Sequence, residues 1–293
     1  MDVEKCEILA TVLEYGNIRK AAERLGYTPS GVSRAIAALE QECGITLLSR
    51  SKSGVSSTES CRQLIPFMDR AISQKRTLER AASDLLNAES GTLRIGTAYP
   101  QYHGILASLL GEFRKARPGV EISLVERNST PLIKMLEEGD LDIAIASKRT
   151  GDFEWHPLVE DELVVLASAD HPLAREGVYP LKRLERDPYI EIGPGDETDN
   201  QLFLREQGIQ PNTCFSISTA QTSYKMVDAG LGVCLTNSLH KSTYAGDSVF
   251  LSTDPQVIVE IGVASARPEM STPAAKLFLE QLLAAVEIAE VAK

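Results

Sequence analysis

The sequence predicts a mixed fold, in which an all-α N-terminal domain with a β-hairpin wing is followed by a long linker helix and a two-lobed α/β domain. Three observations predict it. Apolar residues recur at helical spacing up to Gly44, a heptad repeat fills the segment after residue 58, and strand and helix patterns alternate beyond residue 90. The length of 293 residues fits about two domains.

The bulk composition excludes several classes of protein. With 43% hydrophobic and 24% charged residues, the chain is typical of a water-soluble globular protein. It contains no apolar run near the ~18 residues that a membrane span needs. The N-terminus, MDVEKCEILA, lacks the basic and apolar regions of a secretory signal. We therefore expect a cytoplasmic protein without membrane contact.

Cysteine and histidine are scattered, which argues against metal and redox chemistry. Because no CxxC pair and no HExxH spacing occur, we expect reduced thiols that pack as small apolar side chains, no metal site and no cofactor. A redox-active thiol is the alternative. The residues concerned are Cys6, Cys43, Cys61, Cys214 and Cys234, with His103, His156, His171 and His240.

The net charge of −11 is unevenly distributed. Residues 1–90 hold 12 basic and 12 acidic residues, so the acidic excess lies entirely in the rest of the chain. Within 17–62, seven basic residues accompany four acidic ones. The N-terminal part is therefore mildly basic, which permits contact with nucleic acid without establishing it.

Three short helices are predicted before the wing, each with one apolar face. The first covers 3–15 and ends at Gly16, and Asn17 is a favourable N-cap for the second. The third ends at Gly44. The apolar positions are Cys6, Leu9, Val12 and Leu13 in the first helix, Ile18, Ala21, Ala22 and Leu25 in the second, and Val32, Ile36, Leu39 and Cys43 in the third.

The stretch AAERLGYTPSGVSRAIAALE, residues 21–40, joins the second and third helices by a tight turn. Thr28 is expected to cap the third helix, and Pro29 fits its first turn. Opposite the apolar face stand Ser30, Ser33 and Arg34. Small hydroxyls and one guanidinium suit a helix that enters the major groove, where they can bond base edges or phosphates. The pattern predicts a helix-turn-helix, and an ordinary pair of packed helices is the alternative.

A polar segment, SRSKSGVSSTES, lies between short β-prone runs and predicts a hairpin wing. With it, residues 1–58 form the predicted winged helix-turn-helix DNA-binding domain. The candidate DNA-binding residues are Asn17, Thr28, Pro29, Ser30, Ser33, Arg34, Arg50 and Lys52.

Residues 59–90 are predicted to form a linker helix. One side of this helix carries a row of heptad positions, called the seam below, that a partner helix can cover. Spacings of four and three alternate along it, and Lys75 is the one polar residue of the series. Such a repeat favours dimerisation through this helix, and docking onto the same chain is the alternative. The seam positions are Leu64, Met68, Ala71, Lys75, Leu78, Ala82 and Leu85.

Beyond residue 90 the alternation of strands and helices is typical of βαβ units in a parallel sheet. Two similar halves are predicted to enclose a cleft: lobe I from 91–165 and 266–293, and lobe II from 166–265. A ligand there would meet the loops after the strands. The candidate ligand-binding residues are Thr97, Tyr99, Gln101, Ser129, Thr130 and Ser147 in lobe I, and Gly193, Thr219 and Gln221 in lobe II.

The chemistry of these loops suits a small, anionic ligand, although plain helix capping is the alternative for each residue. Hydroxyls and backbone N–H groups at helix starts, such as Ser129, Thr130 and Thr219, can bind an anion. Lys148 and Arg149 either neutralise a carboxylate or lie in water. The identity of the ligand does not follow from the sequence.

Several motifs together resemble the LysR-type transcriptional regulators. They are Leu9, Gly16, AAERLGYTPSGVSRAIAALE and GITLLSR, followed in family order by GTLRIG, EEGDLDIAI, ADHPLA and VDAGLGVCL. The resemblance implies a winged helix-turn-helix, a dimerising linker helix, and a two-lobed α/β effector domain resembling periplasmic binding proteins. It also implies a homotetramer built as a dimer of dimers. The chain departs from the family pattern at Pro29, where glutamine is usual, and at Leu48, where phenylalanine is favoured.

Three classes of function were weighed. A transport-type solute-binding protein is disfavoured by residues 1–90 and by the N-terminal sequence. An enzyme is disfavoured because no GxSxG, GxGxxG or P-loop follows a predicted strand. The sequence therefore predicts a regulator, activator or repressor, that binds specific double-stranded DNA. A small molecule bound between the lobes is expected to change the angle between DNA-binding dimers, and with it the bend of the DNA.

Overall fold

The computed structural model describes residues 1–51, 54–86, 91–195 and 197–291. The chain divides into two compact units, an N-terminal unit with the first four helices and a C-terminal unit with the α/β elements. In the part of the chain that is described, no helix combines the length and the apolarity that a membrane span needs.

The N-terminal unit begins with three helices, α1 (Val3–Tyr15), α2 (Ile18–Leu25) and α3 (Pro29–Cys43). The predicted caps are confirmed. The Asn17 side chain accepts from the N–H groups of Arg19 and Lys20, and the Thr28 side chain accepts from that of Gly31. The three helices pack through one shared core, whose fully or almost fully buried members include Cys6, Leu9, Val12, Ala21, Ala22, Val32, Ile36 and Leu39.

A two-stranded hairpin follows, as predicted, with β1 (Leu48–Ser51) antiparallel to β2 (Gly54–Ser57). The backbone N–H of Val55 donates to the carbonyl of Gly16 at 2.9 Å. Gly16 ends α1 with a φ of 58°, a conformation that suits glycine. The wing is therefore attached to the turn between α1 and α2.

The long helix α4 (Glu59–Leu86) packs partly on its own chain. Cys61, Met68 and Ile72 are buried in the core shared with α1. The predicted seam residue Met68 therefore packs on the same chain, which is the alternative given for this helix, and Ile72 rather than the predicted Ala71 is buried beside it. Farther along, Leu78 is 70% exposed. The side chain of Leu85 and residues 87–90 lie outside the described part.

The C-terminal unit contains nine strands and five α-helices among the described residues. Lobe I holds β3 (Gly91–Thr97), α5 (His103–Ala116), β4 (Val120–Glu126), α6 (Ser129–Glu137), β5 (Ile143–Ser147) and α9 (Pro273–Val291). Lobe II holds β7 (Val178–Pro180), β8 (Tyr189–Ile192), α7 (Asp199–Glu206), β9 (Thr213–Ile217), α8 (Ala220–Asp228) and β10 (Cys234–Asn237). Two long strands, β6 (Glu154–Ala167) and β11 (Val249–Ser265), run through both.

The main sheet has the order β10-β6-β11-β5-β3-β4, with β7 beside β11. The prediction of a parallel sheet is confirmed for β3 with β4 and β5, and for the separate pair β8–β9. It is wrong for the centre, where β11 is antiparallel to β5 and β6, and β6 is antiparallel to β10. The reason is that β6 leaves lobe I and β11 returns to it, so the two strands run in opposite directions.

The two lobe cores divide inside these long strands. Ile261 and Val263 of β11 are buried in the core of lobe I, whereas Leu163 and Val165 of β6 are buried in the core of lobe II. The expected boundaries, 165/166 and 265/266, fall near the ends of β6 and β11, whereas the two cores divide within these strands. The lobes therefore share a β-sheet connection, and no flexible linker joins them there.

The structure tests the expectation that the thiols are buried. Cys6, Cys61 and Cys234 are buried, Cys43 is half-buried, and Cys214 on β9 is exposed, so the expectation is wrong for Cys214. Burial raises the pKa of the thiols of Cys6, Cys61 and Cys234, which lowers the fraction of reactive thiolate.

We therefore expect one fast thiol in the native protein. With an aromatic disulfide reagent at pH 8, Cys214 should react first, and the three buried thiols at least about tenfold more slowly, because both access and thiolate fraction are reduced. The absorbance of the released thiolate measures this. Cys214→Ser should remove the fast phase. A fast phase of three or more thiols in the native protein would contradict the assignment.

Candidate nucleic-acid interface and ligand cleft

The polar flank of α3 faces solvent, as a DNA-reading helix requires. Thr28, Pro29, Ser30 and Arg34 are exposed and Ser33 is half-buried. On the opposite flank, Val32, Ile36 and Leu39 have no exposed area. The structure thus brings together the five residues predicted on α3, at the positively polarised start of the helix.

Within this group the side chains hold each other in place. The Thr28 hydroxyl lies 3.2 Å from that of Ser30, and it accepts from the N–H of Gly31 at 3.1 Å. The Nε of Arg34 donates to the carbonyl of Ser30 at 3.4 Å, a long bond that a nucleic-acid acceptor can replace. Arg34 is therefore a long exposed cation anchored one turn from the helix start.

The other predicted DNA-binding residues lie on two further elements. Asn17 is exposed, but its side-chain oxygen accepts from the N–H groups of Arg19 and Lys20 at 2.9 and 3.2 Å, so that oxygen is used in the cap of α2. The backbone of Arg50 lies in β1, opposite Val55. Lys52 lies outside the described residues.

One residue that sequence reasoning missed connects α3 to the wing. The Oε1 of Glu40 accepts from the backbone N–H of Leu47 at 2.7 Å and from that of Leu48 at 3.1 Å. These two residues are buried, so their N–H groups need a partner within the protein. The signal in the sequence that could have indicated this role is a glutamate on the half-buried side of α3, where a carboxylate needs hydrogen-bond donors.

In the C-terminal unit, a polar cavity of about 180 Å³ lies between the lobes. Its walls are mostly hydroxyl, amide and backbone groups. Of the predicted ligand-binding residues, Tyr99, Ser129 and Gly193 line it. Residues that were not predicted also line it, among them Asn128, Asn200, Ser218, Thr236, Asn237 and His240. Burial lowers the pKa of His240, so this wall carries a neutral imidazole at neutral pH.

A charged cluster lies at one side of the cavity and joins the lobes. The Asp199 carboxylate, on α7, accepts from the Ser147 hydroxyl at 2.5 Å, from Nη2 of Arg149 at 2.6 Å and from the Tyr99 hydroxyl at 2.9 Å. Only 17% of the Arg149 side chain and 14% of the Asp199 side chain are exposed. Arg149 therefore does neutralise a carboxylate, and the carboxylate belongs to the protein itself.

The protonation of Tyr99 is fixed by its surroundings. Burial, together with the negative charge of Asp199, raises the pKa of the Tyr99 phenol well above its ordinary value. The phenol thus stays protonated, and its O–H donates a hydrogen bond to the Asp199 carboxylate. Lys148, the other cation considered, lies in water and forms an ion pair with Glu260 at 3.0 Å.

The remaining predicted ligand-binding residues have varied surroundings. Thr97 is buried and its hydroxyl accepts from the N–H of Tyr99 at 3.3 Å. Thr130 donates to the carbonyl of Glu197 at 2.9 Å, across the cleft. The side-chain amide of Gln101 is buried and has no hydrogen-bond partner among the described residues. Thr219 and Gln221 are exposed at the start of α8.

Sequence reasoning missed Asp199 because its partners are distant in the chain. Ser147 and Arg149 precede it by 52 and 50 residues, and Tyr99 by 100. An aspartate in a first helical turn is more simply explained by helix capping, which Thr198 performs here. Among the described residues, no cluster of three or more histidine, cysteine or acidic side chains is placed to hold a metal ion.

Two family models match the chain. The bacterial regulatory helix-turn-helix protein of the lysR family matches residues 3–62, and the LysR substrate binding domain matches residues 87–287. The probable HTH-type transcriptional regulator LrrA of Synechococcus elongatus is 33% identical over 285 residues, which are 96% of each chain.

Two solved structures are also similar. Full-length CbnR, a structure determined in complex with its target DNA, has a TM-score of 0.55 and 18% identity, over 97% of this chain and all of CbnR. The regulatory domain of Synechocystis CcmR, solved in complex with 2-PG, has a TM-score of 0.57 and 22% identity, over 67% of this chain and 98% of that domain. At these identities the two structures support the fold.

The role of Glu40 gives a testable expectation for the wing. Glu40→Ala should speed amide hydrogen exchange at Leu47 and Leu48 by about 10- to 100-fold, because losing the acceptor costs about 1–3 kcal/mol. Exchange followed by mass spectrometry in the full chain measures it, with Gln41→Ala at the exposed neighbouring position as control. Unchanged rates at both amides would rule out this tether.

Proposed function

Because this chain belongs to the LysR family of DNA-binding transcriptional regulators, which are not enzymes, we propose that the exposed flank of α3 contacts the major groove of its target DNA. The observation that carries this proposal is the orientation of α3, which buries its apolar side completely and exposes Ser30 and Arg34. Ser33, between them in sequence, is within reach of the same groove. We also propose a cytoplasmic location, where a bacterial regulator meets its DNA.

The division of labour on α3 follows from chemistry. A guanidinium can form two parallel bonds to guanine, whereas a serine hydroxyl bonds many acceptors and donors. We therefore assign base reading to Arg34, and phosphate or base-edge contacts to Ser30 and Ser33. Arg50 and Lys52 of the wing and Asn17 at the start of α2 are assigned to the DNA backbone. The surplus of basic residues in 17–62 supports this assignment.

We further propose that a small molecule bound in the inter-lobe cavity controls DNA binding. The cavity is enclosed by strand ends and helix starts of both lobes, so a ligand would contact both. That the similar CcmR domain was solved with 2-PG supports a small-molecule ligand. A ligand that prefers one arrangement of the lobes shifts the population toward it, and through the oligomer changes the bend of the DNA.

The oligomer is assigned to the second half of α4. Leu78 is 70% exposed, although it occupies a predicted seam position. A large apolar side chain at this spacing is stabilised when a second helix covers it. We propose a homodimer through α4, with 59–90 as the linker, 1–58 as the DNA-binding domain, and a homotetramer as the complete assembly.

Sequence-specific retardation of the DNA upstream of its own gene, lost steeply as salt increases, tests the function. In this assay Arg34→Ala should weaken specific binding by about 1–3 kcal/mol, roughly 5- to 150-fold. Arg175→Ala removes the same charge from an exposed position of the C-terminal unit and should leave affinity unchanged. Equal losses in the two variants would argue that Arg34 reads no base.

The dimer proposal makes a separate expectation. Leu78→Asp should raise the dimer dissociation constant by at least about tenfold, since it puts a charge into the apolar seam. Gln63→Asp changes an exposed residue of α4 outside the seam and should not alter the dimer. Sedimentation velocity over a dilution series measures both. A Leu78→Asp protein that dissociates no more readily than the control would remove α4 from the interface.

A further inference from the structure

The three donors that meet at Asp199 form an anion-binding group built by lobe I alone. We propose that Asp199 is a tethered competitor for this group, and that the cleft ligand is a small organic anion whose carboxylate or phosphate displaces it. This inference rests on the proposed ligand site and names both its ligand class and its regulation. Four observations support it.

First, the donors are positioned by lobe I independently of Asp199. The Arg149 guanidinium donates from Nε to the Thr130 hydroxyl at 3.1 Å, and from Nη1 to the Ser147 hydroxyl and the Lys148 carbonyl, both at 2.9 Å. The Ser147 backbone N–H donates to the hydroxyl of Ser129 at 3.0 Å. The group is therefore preorganised, and it would keep its shape around another anion.

Second, the Asp199 carboxylate is committed to the opposite lobe. It is the first residue of α7, where an aspartate commonly supports its own helix, yet the Thr198 hydroxyl accepts from the N–H of Gln201 in that role. The three hydrogen bonds found for the Asp199 carboxylate among the described residues all come from lobe I. Its hydrogen bonds therefore connect the two lobes, while the capping bond of α7 is formed by Thr198.

Third, a second contact holds the same segment across the cleft. The hydroxyl of Thr130 donates to the Glu197 carbonyl, two residues before Asp199, at 2.9 Å. The segment concerned is 197–199, and Thr198, between the two contacts, lines the cavity. The segment and the carboxylate therefore dock on lobe I together, and they would be released together.

Fourth, the cavity beside the cluster matches the rest of such a ligand. Asn128, Ser218 and Asn237 offer amide and hydroxyl groups, and His240 is kept neutral by burial. Arg149 contacts this region through Asp199, which lines the cavity, and its guanidinium can balance one negative charge. An anionic group in the place of the Asp199 carboxylate, joined to a short polar body in the cavity, satisfies both regions.

A tethered carboxylate reduces the affinity for an external one. The effective concentration of such a carboxylate is in the millimolar range for a short connection. The apparent affinity for an external anion is therefore reduced in proportion to the fraction of molecules in which Asp199 does not occupy the donors. Removing the competitor should therefore increase anion affinity by at least about tenfold. The same exchange would weaken the hold of lobe I on the segment that contains Glu197, which converts ligand binding into a movement of lobe II.

Titration calorimetry of the full-length protein with inorganic phosphate and with succinate tests this. Asp199→Asn and Asp199→Ala should each bind at least one of these anions about tenfold or more tightly than the unaltered protein. Adding Arg149→Gln to either variant should abolish the gain. The matched control is Glu206→Gln, which removes one charge from an exposed side chain at the far end of α7, and it should leave affinity unchanged.

A second measurement does not depend on the choice of anion. Backbone amides of Glu197 and Thr198 should exchange hydrogen faster in Asp199→Ala than in the unaltered protein, because the segment is released. The proposal is overturned if both Asp199 variants bind both anions no better than the unaltered protein, or if the gain survives Arg149→Gln. It is also overturned if exchange at the two amides stays the same.

These outcomes are separate from the test of DNA binding. If the unaltered protein retards its DNA specifically while anion affinities do not change in the Asp199 variants, only the competitor role of Asp199 fails. If anion affinity rises in those variants but no specific DNA complex forms, the competitor role stands and the proposed regulatory function fails.

Discussion

The orientation of α3 about its own axis is the constraint on which the N-terminal unit depends. Full burial of a side chain such as Val32, Ile36 or Leu39 contributes roughly 1.5–3 kcal/mol each. The exposed residues of the helix contribute almost nothing to stability by comparison. Rotating α3 by even one residue would forfeit most of the buried contribution. The polar flank therefore faces outward because the apolar flank must face inward, and its chemistry is free to serve recognition.

The second unit is constrained differently, because its two lobes have separate apolar cores and share a pair of long strands. The long strands β6 and β11 connect them through paired backbone, so each lobe retains its own apolar core. Polar contacts, the charged Asp199 cluster among them, connect the lobes beside the cavity. Polar groups can exchange one partner for another at little net cost, whereas an apolar core cannot. The cleft is thus the part of the unit suited to a ligand-dependent change.

Sequence reasoning succeeded where structure is decided locally. The caps Asn17 and Thr28, the hairpin wing and the helices α1 to α4 follow from residues within a few positions of each other. It failed where distant segments meet. The pairing of β6 with β11, the docking of Met68 and Ile72 on α1, and the contact of Asp199 with Ser147 depend on tertiary packing that no local period encodes. Accordingly, the exposed face of α3 was predictable, and the main charged contact of the cleft was not.

A carboxylate from the protein itself also avoids the cost of an unpaired cation in a buried anion site when no ligand is bound. Arg149 is 17% exposed, and a guanidinium left without a partner at that depth would be costly. With Asp199 as one partner and a ligand anion as the other, the cation is paired in both arrangements of the lobes. The free-energy difference between the two arrangements then depends on two quantities. One is the difference in strength between the Arg149–Asp199 ion pair and the Arg149–ligand ion pair, and the other is the advantage that Asp199 has because it belongs to the same chain. Such a balance lies within the range that a small ligand can shift, because a ligand moves an equilibrium only by its differential affinity for the two states.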